Sequence, residues 1–72
     1  MASQRQLLMK ALTVHAHGEI EMCRANIEVY LNASVGIGEH SDITGAIAQE
    51  LDKIARYEDQ ITVLDKYFKA WT

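Results

Sequence analysis

The side chains best suited to chemistry gather in the first half of the chain, where His15, His17, Glu19 and Glu21 fall within seven consecutive residues. On a helix, His15 shares a face with Glu19 and His17 with Glu21, because residues four apart are surface neighbours. Imidazole and carboxylate in that arrangement can ligate a metal, and an antiparallel helix that sets Glu58 opposite His15 would complete a trio of His15, Glu19 and Glu58. The order of the residues argues against it. Di-iron helical bundles use glutamate followed three residues later by histidine on two helices, and this chain has no Glu-x-x-His. The expectation is therefore no metal and no cofactor, with His15 bordering a core and His17 and Glu21 facing water.

A second polar run, Gly36-Ile37-Gly38-Glu39-His40-Ser41-Asp42, places serine, histidine and aspartate together. A nucleophilic triad needs three elements that converge in space and hold one another in place, which near neighbours in one turn cannot do. An anion could bind free backbone N–H groups at a helix start. Here Glu39 and Asp42 would repel it and no lysine or arginine lies in the run, so the segment reads as turn and helix cap. The single Cys23 has no internal disulfide partner and falls among apolar residues, as a packed, reduced thiol does. No catalytic residue emerges, and the chain is read as a non-enzyme.

The elements that would carry these residues are legible in the apolar spacing. Met9, Leu12, Ala16, Ile20, Cys23, Ile27 and Tyr30 recur at threes and fours, and so do Ile43, Ile47, Leu51, Ile54, Tyr57, Ile61, Leu64, Phe68 and Trp71. Such spacing holds one helical face against a partner over several turns. The spacing predicts an all-α, single-domain antiparallel hairpin, with a helix over about 3–31, a turn over about 32–41 and a helix over about 42–70. Ser3 serves as the first N-cap, and Ser41 or Asp42 as the second. Val35 and Ile37 should cover the end of the core, while Gly36 and Gly38 relax the turn. Gly18 interrupts the first helix, with either simple tolerance or a close helix crossing at Gly18 and Ala16 as its reason.

Seventy-two residues form one small core, and a core of that size seldom supplies more than roughly 3–5 kcal/mol. Leu7, Leu8, Val14, Met22 and Val29, with Ala46, Ala55, Val63 and Tyr67, widen the apolar flanks beyond what two helices cover. A homodimer forming a four-helix bundle is the expected remedy. The core and interface are assigned together to the two stripes. A net charge of −3 with seven basic residues gives no footprint for nucleic acid. There is no long apolar run for a membrane and no export signal at the start, which points to the cytoplasm. Folding back gathers Arg5, Lys10, Lys66 and Lys69 at the open end and Glu28, Glu39, Asp42 and Glu50 near the turn; these read as ordinary solvated helix faces, with attraction between opposite ends in an antiparallel association as the alternative.

The stretches Ile27-Glu28-Val29-Tyr30-Leu31, Val35 to Ile43 and Glu50 to Ala55, followed by Tyr57-Glu58-Asp59, resemble small uncharacterised proteins carried by tailed phages of marine cyanobacteria. The similarity spans about residues 25–68, with Gly-Ile-Gly-Glu-His-Ser-Asp as its most specific part, and leaves out the first 20 residues. The resemblance implies a phage origin and action in the host cytoplasm, and it brings no activity and no functional residue. The functional expectation is an oligomeric, non-enzymatic interaction protein acting on a host or phage protein still to be identified. The alternative is a small metal- or ligand-binding bundle built on His15, Glu19 and Glu58.

Overall fold

The computed structural model describes residues 3–33 and 42–68. Two helices account for nearly all of them: α1, Gln4–Ala33, and α2, Asp42–Tyr67. Helix α1 opens on a reciprocal cap. The Gln6 amide donates to Ser3 Oγ at 3.1 Å while the Ser3 amide donates to Gln6 Oε1 at 3.0 Å, so two donors at the helix start are satisfied at once. At its other end α1 runs through Asn32 and Ala33 rather than stopping near Leu31. The Asn32 side-chain amide donates to the Glu28 carbonyl at 2.7 Å, which spends the asparagine on its own last turn. Helix α2 has Asp42 in its first turn and Lys66 in its last, each complementing the helix dipole. It ends at Tyr67, short of the expected residue 70. Phe68 follows in a turn, its amide still bonded to the Leu64 carbonyl at 3.0 Å. The expected turn residues Val35 to Ser41, together with Lys69 and Trp71, lie outside the described residues.

The helices run antiparallel, as three contacts spread along them establish. Arg5 donates to the Phe68 carbonyl, the His15 ring meets Tyr57, and the Asn26 amide reaches Glu50. The buried and half-buried positions of α1 include Met9, Thr13, Ala16, Ile20, Cys23, Ile27 and Tyr30, and those of α2 include Ile43, Ile47, Glu50, Ile54, Tyr57, Ile61 and Leu64. Both series alternate fours and threes without interruption, the condition for one face to stay on its partner.

That alternation displaces two residues of the sequence reading. Leu12 is 58% exposed and Leu51 53%, and the slots beside them are taken by Thr13 and Glu50. Stepping through Leu12 or Leu51 puts two equal steps in succession and rotates the contact off the partner helix. Phe68 is exposed as well. Gly18 marks no close crossing within the hairpin, since a Cβ placed there would meet nothing within 4 Å. Ala16, by contrast, is buried at 2% exposure.

Candidate functional site

Among the described residues the one deeply placed charge is Glu50, 9% exposed and turned towards α1. Burying a carboxylate is costly unless its lone pairs are met by donors, and α1 meets them from two positions one turn apart. The Cys23 thiol donates to the carboxylate, and Asn26 Nδ2 approaches Oε1 at 3.4 Å. Lys53, one turn further along α2, brings its ammonium to 3.6 Å from Oε2. The hydrogen bonds from Cys23 and then Asn26 outweigh desolvation and hold the Glu50 carboxyl below the usual carboxylate range, with Lys53 adding to the effect. Cys23 moves the other way: its burial first, then its bond to Glu50 and the carboxylate's charge, push the thiol above its ordinary value.

These shifts define what the cluster can do. A thiol held protonated beneath the surface is a weak nucleophile, and an ionised carboxylate already engaged by donors is a poor general base. The arrangement suits a polar clasp between helices. From the sequence, Glu50 belongs with the acids near the turn and Cys23 with an apolar stripe. The strict alternation of fours and threes is the signal that would have found Glu50, because it passes through residue 50 and not 51.

The other polar candidates are dispersed. His15 is exposed and meets Tyr57 edge-on, with ring centroids 5.8 Å apart and planes at 79°. Glu19 is half-buried, Glu58 exposed, and among the described residues no three His, Cys, Asp or Glu side chains come together as a metal site. His17 is exposed, and Glu21 accepts a 2.8 Å ion pair from Arg24. Arg56 lies over the Tyr57 ring at 5.2 Å, within cation–π range.

What the hairpin does present is apolar surface. One flank carries Leu8, Leu12, Met22 and Val29 from α1 with Val63 and Tyr67 from α2, all exposed. Leu12, Val63 and Leu64 line a shallow groove there with Arg56, and Leu8, Met9 and Phe68 continue it to the open end. The opposite flank is more highly charged, with Lys10, Glu21, Arg24, Glu28 and Asp65 around Val14 and Leu51. No helix is long and apolar enough to cross a membrane among the described residues. No family model, curated protein or solved structure matches the chain.

Proposed function

We propose that this chain is a non-enzymatic interaction protein that works as a homodimer, two hairpins joining into a four-helix bundle. The observation that carries the proposal is the mismatch between core and surface. Among the described residues the buried hydrophobic ones are Ala16, Ile20 and Cys23, whereas eleven large hydrophobic side chains stand exposed. The molecule is one helix thick, with extents of 54 × 21 × 11 Å, while stable domains set at least two layers around a core. Its exposed area is 5710 Å², against about 4,500 Å² for a compact monomer of this mass. The excess is comparable to the roughly 800 Å² that each partner buries in a standard interface. On this reading the second layer is a second copy, and the bundle is the unit that engages another protein. A phage origin and a host-cytoplasmic site of action rest on the resemblance over residues 25–68.

Sedimentation equilibrium at micromolar concentration tests the proposal. A species of twice 8.1 kDa is expected. A monomer that keeps its full helical circular dichroism at every concentration would overturn it.

A further inference from the structure

Resting on that reading, we propose that the flank bearing Leu8, Leu12, Met22, Val29, Val63 and Tyr67 is the dimer face, and that the two hairpins meet with like ends together, α1 of each lying on α2 of the other. The choice of flank follows from composition. Its apolar side chains recur along α1 from Leu8 to Val29 and cluster on α2 at Val63 and Tyr67, with its charges, Glu19, Lys53, Arg56 and Asp59, gathered towards the middle, whereas the opposite flank alternates apolar residues with charges along its length that would have to be desolvated.

The orientation follows from where the charges of this flank stand. A two-fold axis can stack these flat hairpins in two ways. With ends exchanged, α1 lies on α1 and α2 on α2, so Glu19 approaches the partner's Glu19, and Lys53 with Arg56 approach the same pair of cations. With like ends together, every element meets its complement. The hairpin's own register sets Leu8 and Leu12 level with Val63 and Tyr67, Glu19 level with Lys53 and Arg56, and Val29 level with Ala46. Stacking α1 on the partner's α2 therefore puts apolar residues on apolar residues at both ends, and Glu19 against two cations in the middle. Glu19 is half-buried and makes no ion pair among the described residues. The end-to-end charge gradient bears little on this face: Lys10 and Glu28 border the opposite flank, and Arg5 is engaged with the Phe68 carbonyl.

Two measurements test the geometry. Spin labels on Gln4→Cys in a Cys23→Ala background should lie roughly two helix diameters apart, about 20–25 Å, in the dimer by double electron–electron resonance. Ends exchanged would separate them by about a helix length, roughly 40–45 Å, and would overturn the orientation while leaving the dimer intact. In parallel, Glu19→Arg should weaken dimerisation at low salt by about tenfold, and adding Arg56→Glu should recover most of the loss. A Glu19→Arg protein that dimerises as tightly as the original would also overturn the proposal. A protein that never dimerises removes both this inference and the reading beneath it.

Discussion

The Cys23 thiol on α1 donates a hydrogen bond to the Glu50 carboxylate on α2, joining two residues 27 positions apart in sequence within a mostly apolar seam. A polar pair in such a seam sets register, since sliding either helix by one turn would strand the carboxylate among apolar side chains. Asn26 strengthens the constraint by offering its amide from the next turn.

Stability should fall in acid through Glu50. Its carboxyl titrates below the ordinary 4.5 in the folded chain, so its contribution is complete above the unfolded value and is lost as pH falls through the lower, folded one. Glu50→Gln should flatten the acid limb of the stability curve. Urea melts of both proteins at a series of pH values down to about 3 would show it, and parallel acid limbs would place the sensitivity elsewhere.

Cys23 should be slow to react. Burial at 3% exposure and a raised thiol pKa both suppress thiolate at the surface. Ellman's reagent should label the native protein far more slowly than the urea-unfolded chain. The same shift makes the folded state lose stability as pH rises past the ordinary thiol value of 9.0, because the unfolded chain ionises first.

Thr13 occupies a seam position with its hydroxyl returned to the Met9 carbonyl at 2.9 Å. Thr13→Leu should therefore stabilise the hairpin by about 1 kcal/mol, adding apolar contact and removing a back-bonded hydroxyl that competes with the helix ladder. Leu12→Ser next to it should change folding little at concentrations where the chain is monomeric and should weaken the dimer. Melting curves at several protein concentrations separate the two effects.

Gly18→Ala should raise stability by about 0.5–1 kcal/mol, since alanine is the better helix former and the added methyl meets nothing within 4 Å. A loss measured by thermal melting would mean that another helix passes close to Gly18 in the assembled protein.

Much of this architecture was legible in the apolar spacing. Ile20, Ile27, Ile54, Ile61 and their neighbours define two helices, and Ser3 marks the start of the first. What escaped was the phase of each stripe at one point. Hydrophobicity favours Leu12 and Leu51, but the geometry of a continuous seam selects Thr13 and Glu50. A carboxylate can take an inward slot only when donors face it. Those donors, Cys23 and Asn26, belong to the other helix and are invisible to a reading made one helix at a time. The His15, Glu19 and Glu58 trio was drawn from spacing and register alone. His15 instead packs edge-on against the ring of Tyr57.

The unbroken alternation of fours and threes also fixes a handedness. A recurrence of seven residues falls short of two full α-helical turns, so a seam that never skips must drift around each helix, and the pair is expected to compensate by winding left-handed. At a pitch of about 150 Å, the roughly 40 Å that the helices share amounts to about a quarter turn. On the dimer proposed above, the flank facing the second copy would then twist gently along its length, and a surface with the same hand and pitch would follow it from Leu8 to Val29.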